Sequence, residues 1–279
     1  MRNLCDLRES FAVKIYYMEN QSISITEKAM FDLTGKVAII TGASKGIGED
    51  MARVFARFGA QVVVSSRKQD ACDALAADIR AQGGDATGIA AHVGDMEQLR
   101  QLVDKTIATY GGIDILVNNA ASNPVFGPSL DCDGAAFDKI MHANVKAPFE
   151  LSKLCHDSMK TRGGGSIIMI SSIAGHTPDP GLGIYSVSKA SLNMLTKVLA
   201  KEWGPDGIRV NAICPGLIKT KFSQALWQDE KTLERFTKHI PIARMGTTDE
   251  ISPLALFLAS DASSYSTGSL FYADGGTVI

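Results

Sequence analysis

The chain has 279 residues, 45% hydrophobic and 21% charged, with a formal net charge of −2. This is the balance of a soluble globular protein with a large core, and it excludes a basic nucleic-acid-binding surface. No apolar run approaches the length that spans a bilayer, so no membrane partner is expected.

Cys5, Cys72, Cys132, Cys155 and Cys214 are odd in number and lack CxxC spacing. A reducing, cytoplasmic setting fits them better than a disulfide framework. Residues 1–29 stand apart. Arg2, Arg8, Lys14 and Lys28 cancel Asp6, Glu9, Glu19 and Glu27, and Lys14 breaks the apolar cluster 11–17. A signal peptide has a longer apolar stretch, and a transit peptide lacks the acids. The segment reads as a disordered extension ahead of one dinucleotide-binding and catalytic domain over 30–279.

From Lys36 onward, strand and helix patterns alternate. Strands are predicted over 37–41, 61–65, 87–91, 113–117, 166–171, 209–213 and 269–272. Helices are predicted over 47–58, 70–81, 96–110, 137–160, 185–203 and 249–260. Continuous apolar strands separated by helices imply a parallel sheet covered on both faces. The fold class is α/β: a single Rossmann-like, doubly wound domain with about seven strands. One irregular stretch, 217–241, is rich in Phe, Leu and Trp between turn signals, as expected of a helical flap over a site; an extra packed helix is the alternative.

The first strand runs into Gly42-Ala43-Ser44-Lys45-Gly46-Ile47-Gly48, which opens a helix. Backbone N–H groups at a helix start attract a pyrophosphate, and glycine lets it come close. The spacing is G-x-x-x-G-x-G, and its place between strand and helix is what the motif needs. NAD-selective folds carry an acid about 20 residues further on, for the ribose 2′-OH. No acid stands at Ser65 or Ser66; Arg67 and Lys68 follow, and Lys45 lies in the loop. Cations there favour a 2′-phosphate, hence NADP(H) over NAD, unless they are an ordinary solvated strand end.

Tyr185 and Lys189 are four apart on a predicted helix and share a face. A nearby ammonium favours phenolate, so the pair can exchange a proton with a carbonyl oxygen or hydroxyl. Ser172 ends the fifth strand, on the edge where open α/β sheets bind ligands. Asn144 falls inside the long predicted helix 137–160, either as a polar link toward Lys189 or as a satisfied interior asparagine. The five histidines show no metal-ligand spacing, so no metal is expected.

The glycine loop 41–48, Asn118-Asn119-Ala120, Asn144, Ser171-Ser172, Tyr185-x-x-x-Lys189 and Pro215-Gly216 resemble, in order and spacing, the classical short-chain dehydrogenases/reductases. The resemblance covers roughly 33–276. It implies a catalytic tetrad of Asn144, Ser172, Tyr185 and Lys189, with Tyr185 as general acid/base and Ser172 orienting the carbonyl. Lys189 would lower the tyrosine pKa and hold the nicotinamide ribose beside Tyr185, and Asn144 would anchor a proton-relay water. The cofactor would also meet Gly42, Ser44, Lys45, Gly46, Ile47, Gly48, Arg67 and Lys68. His92 and Val93 would lie at the adenine, Asn118 along the cofactor, and Pro215, Gly216, Ile218 and Thr220 at the nicotinamide end.

The chain looks closest to NADP-dependent carbonyl/retinal reductases of the peroxisomal type. The likeness rests on Ser65-Ser66-Arg67-Lys68, His92-Val93-Gly94, Asn123-Pro124, 215–220, Phe222 and Leu226-Trp227. The last residues, Gly276-Thr277-Val278-Ile279, are not a peroxisomal address. The resemblance further implies a homotetramer acting on a small-molecule carbonyl or alcohol, reducing an apolar ketone or aldehyde. The alternatives are a 3-oxoacyl carrier-protein reductase, an NAD-dependent alcohol or polyol dehydrogenase, and an NADP-binding sensor without turnover.

Overall fold

Seven strands are the frame: β1 (Val37–Thr41), β2 (Gln61–Ser65), β3 (Asp85–Gly88), β4 (Ile115–Asn118), β5 (Gly165–Ile170), β6 (Ile208–Pro215) and β7 (Leu270–Ala273). They form one sheet in the order β3-β2-β1-β4-β5-β6-β7, every pair parallel. The computed structural model describes residues 30–279, and Phe31–Ile279 form one compact unit. The expected extension, 1–29, lies outside the described residues.

Neighbouring side chains on a strand point to opposite faces, and both faces here are apolar. Ala38, Ile40, Val62, Val64, Ile115 and Val117 enter one core cluster. Ile39, Val63 and Leu116, the residues between them, enter the other. The first cluster is closed by α1 (Gly46–Arg57), α2 (Gln69–Ala81) and, from the far end of the chain, α9 (Ser252–Ala259). The second is closed by α3 (Met96–Tyr110), α5 (Ala147–Thr161) and α6 (Gly183–Trp203). At the amino edge the buried Asp114 accepts from the Val37 N–H at 2.8 Å and from Arg162 at 2.8 and 2.9 Å, tying the starts of β1 and β4 to the end of α5.

Two elements depart from the sequence pattern. The third strand is Asp85–Gly88, two residues earlier than expected. Ile89 and Ala91 still bond to the Val64 and Ser66 carbonyls, so the apolar signal marked the tail of the pairing. The helix expected over 137–160 is broken into α4 (Gly134–Met141), a π-helical turn (His142–Lys146) and α5. The stretch 217–241 contains two short helices, α7 (Gln224–Trp227) and α8 (Glu230–Thr237).

Candidate active site

β1 and β4 are neighbours in the sheet, and the connections leaving them run to opposite flanks, which opens a crevice at their carboxyl ends. Asn119 ties the two ends together. Its Nδ2 donates to the Thr41 carbonyl at 2.8 Å and the Gly42 carbonyl at 3.2 Å. The Thr41 hydroxyl takes the N–H groups of Asn119 and Ala120 at 3.0 and 3.1 Å and lies 3.2 Å from the Val117 carbonyl it donates to. A Cβ would stand 2.9 Å from Asn119 Nδ2 at Gly42 and 2.5 Å at Gly48, so both glycines are demanded by this packing. Sequence reasoning placed Asn119 in the motif without seeing that task.

The loop delivers the chain to the start of α1. Lys45 is the extended N-cap residue, and its side chain makes no capping hydrogen bond. The first-turn N–H groups therefore lack the side-chain partner such groups call for, and an anion supplies it. Gly46 follows at φ +63°, and a Cβ there would meet only Thr220 Cγ2, at 3.5 Å, and Thr220 Cβ. An uncapped helix start preceded by a glycine loop fits a dinucleotide pyrophosphate. Lys45, Arg67 and Lys68 are exposed and make no ion pair among the described residues. His92 is exposed, with Nδ1 accepting from the Gly94 N–H at 3.0 Å, and Val93 packs against the second core cluster. Asn118 ends β4, and its side chain turns inward to Ser152 Oγ at 3.2 Å and Met169 Sδ at 3.4 Å. Any contact of Asn118 with a cofactor is thus left to its backbone.

Across the crevice, β5 ends at Ile170, and Ser172 follows, with its hydroxyl accepting from the Ala174 N–H at 3.1 Å. Tyr185 is buried in the first turn of α6, where the Ser172 side chain acts on its phenol. Lys189, one turn on and also buried, donates to the Ile170 carbonyl at 2.8 Å, and its Nζ lies 5.5 Å from the Tyr185 ring centroid. Burial governs both groups. It pushes the Tyr185 phenol up to about 12 against the opposing influence of Ser172, and pushes Lys189 down to about 8 against the opposing influence of Cys214. The sequence leads one to expect Lys189 to lower the tyrosine; in the structure desolvation raises the phenol, and Ser172 is the group that opposes it.

Asn144 is buried in the π-helical turn. Its Oδ1 accepts from the Ser122 N–H at 2.8 Å, and its Nδ2 donates to the Ser122 carbonyl and to Ser188 Oγ, both at 3.0 Å. Ser188 in turn donates to the Tyr185 carbonyl at 2.7 Å. Asn144 thus reaches the helix that carries Tyr185 and Lys189 through Ser188. A π-turn adds one residue to the helical circuit, and such turns are frequent at functional sites.

Three further residues frame the crevice. Phe222, exposed on the 217–227 segment, lies 6.2 Å from Tyr185 between ring centroids. Cys214 is a buried free thiol, pushed up to about 11 by that burial, in keeping with an inert core position. His176 meets Tyr272 of β7, with Nδ1 3.2 Å from the phenol oxygen.

Three comparisons with known proteins agree with this geometry. Residues 42–278 match a family model described as Enoyl-(Acyl carrier protein) reductase. Dehydrogenase/reductase SDR family member 4 of Sus scrofa is 44% identical over 245 residues, 88% of either chain. The solved 7α-hydroxysteroid dehydrogenase complexed with NADH and 7-oxo glycochenodeoxycholic acid is 36% identical with a TM-score of 0.85, covering 88% of this chain and 96% of that one. A gluconate 5-dehydrogenase from Burkholderia cenocepacia in complex with NADP and tartrate is 33% identical with a TM-score of 0.86, covering 90% and 98%. The chain belongs to the short-chain dehydrogenase/reductase family of oxidoreductases.

Proposed function

We propose that this protein is an NADP(H)-dependent reductase of apolar ketones or aldehydes, with Tyr185 as the general acid. The observation that carries the reading is the pairing of buried Tyr185 and Lys189, one turn apart, at the carboxyl end of the sheet, with Ser172 just past the end of β5 and an uncapped helix start across the crevice. NADPH, when bound, supplies the hydride for the carbonyl carbon. The chain's own residues do the rest. Ser172 orients the carbonyl oxygen, and Tyr185 gives its proton to that oxygen as negative charge develops there. Burial keeps this phenol protonated at neutral pH, the form from which a general acid starts. Lys189 stabilises the tyrosinate left behind, and Asn144 with Ser188 fixes the helix that carries both.

The substrate's apolar character is read from the walls. Val125, Pro128 and Ile184 share a cleft with Asn123, Ser129 and Tyr185, and Phe126 and Phe222 add exposed apolar surface nearby. The preference for NADP(H) is read from Lys45 in the glycine loop and from Arg67 and Lys68, which follow the strand end where an acid would mark NAD; all three are exposed and make no ion pair among the described residues. Val187, Met194 and Val198 form an exposed apolar stripe on α6, which supports assembly through the long helices into a homotetramer. Light scattering at four times 29.8 kDa is the expected result, and a monomeric mass refutes it.

Three variants test the chemistry. Tyr185→Phe should lower carbonyl reduction by about 10²–10⁴-fold while NADPH binding persists, and retained turnover sinks the assignment. Arg67→Ala should weaken NADPH binding about ten-fold by fluorescence titration and leave NADH binding unchanged. Tighter NADH binding by the wild type would make these cations mere surface charge. Lys189→Met should abolish turnover and raise Tm at pH 7 by roughly 5 °C. The sign follows from burial, which lowers the folded-state pKa to about 8 from 10.5. The cost of the buried ammonium is full below about 8 and fades as pH rises toward 10.5, so the gain in Tm should shrink over that window. A gain independent of pH would place its cause elsewhere.

A further inference from the structure

We infer that Trp227 is a positioning residue that sets Thr220, on the cofactor side, and Phe222, on the substrate side, from a single anchor. The inference rests on the reading of Thr220 as a residue at the nicotinamide end of NADP(H).

The chain leaves β6 at Pro215 and is guided for four residues by Gly246. The Gly246 N–H donates to the Leu217 carbonyl at 3.0 Å, and the Lys219 N–H donates to the Gly246 carbonyl at 2.9 Å. That guidance stops at Lys219. Among the described residues, every hydrogen bond of Thr220 is made with Ser223 or Trp227. The Thr220 N–H donates to Ser223 Oγ at 3.2 Å, and the two hydroxyls lie 3.2 Å apart. The Thr220 carbonyl takes the Trp227 indole N–H at 3.1 Å.

The indole is well placed to act as an anchor. It is a donor only, and its N–H also lies 3.2 Å from Ser223 Oγ, so one group restrains both residues. Ser223 reaches back to the Ile218 carbonyl at 2.5 Å, which closes the turn onto the part of the loop that Gly246 holds. The Lys219 ammonium sits 5.7 Å from the centroid of the Trp227 ring, fixing the ring from its face. α7, of four residues, is too short to hold itself, so its place depends on such tertiary contacts.

What is anchored faces both reactants. Thr220 Cγ2 lies 3.5 Å from where a Cβ would project at Gly46, at the mouth of the phosphate cradle. Phe222, two residues on, stands beside the Tyr185 ring. Loosening the indole therefore moves the cofactor contact and the cleft wall together, although Trp227 touches neither ligand.

The test is a double-mutant cycle on NADPH affinity, read by cofactor fluorescence. Trp227→Phe keeps most of the ring and removes the donor. It should weaken NADPH binding about five-fold and raise the KM of an apolar carbonyl. In a Thr220→Ala background the same change should add little, whereas in an Arg67→Ala background it should keep its full five-fold effect. A merely structural role would give the same penalty in both backgrounds, and that result overturns the proposal, as does unchanged affinity in Trp227→Phe. Should Trp227→Phe fail to fold, Ser223→Ala, which leaves the indole in place, carries the same cycle with the same expectations. A wild type that binds neither NADPH nor NADH would refute the reading of the cofactor and this proposal with it. A wild type that binds NADPH and is weakened by Thr220→Ala but not by Trp227→Phe refutes the positioning role alone.

Discussion

The amide of Asn119 is the interaction on which the site depends. It spans the ends of β1 and β4, where the two halves of the sheet diverge and backbone carbonyls run out of ladder partners. Thr41 completes the joint by taking two N–H groups from the β4 side. Buried backbone groups need partners, and this crossing meets the need with two side chains. The tightness of the joint has a cost in sequence: side chains are excluded at Gly42 and Gly48. The same tightness brings the start of α1 to the sheet edge with its first N–H groups facing the crevice.

On the other side of the crevice, the constraint is electrostatic. Tyr185 and Lys189 are both buried, and burial opposes the charged form of each. The result is a phenol that holds its proton strongly and an ammonium that holds its own weakly. Groups perturbed in this way, and brought together in a cleft, mark a candidate functional site. They are also a burden on the fold, because a buried ammonium bonded to one carbonyl is poorly compensated. The surrounding bonds from Asn144 through Ser188 serve geometry, holding the first turn of α6 against the π-turn.

The flap extends the same economy of anchoring. Its first residues borrow register from Gly246, and the next ones borrow it from Ser223 and Trp227. Two aromatic residues of one short stretch thus have different duties: Phe222 walls the cleft, and Trp227 restrains the backbone that presents it.

Much of this was legible in the chain itself. Apolar runs bounded by glycine turns located all seven strands, because a parallel sheet buried on both faces leaves no room for polar alternation. The motif order from Gly42 to Gly216 carries the family and names the residues of the candidate site. What the sequence could not carry were choices made by distant partners. Pro148, which has no N–H to give the Asn144 carbonyl, marks a break near His142–Lys146 locally, but not its π-helical form. The π-turn coincides with the bonds of Asn144 to Ser122 and Ser188, residues 22 and 44 positions away. The inward turn of Asn118 depends on Ser152 and Met169 in the same way. The protonation of the pair is of this kind too, since Tyr185 and Lys189 are four apart in any helix, and only tertiary packing decides how much water reaches them.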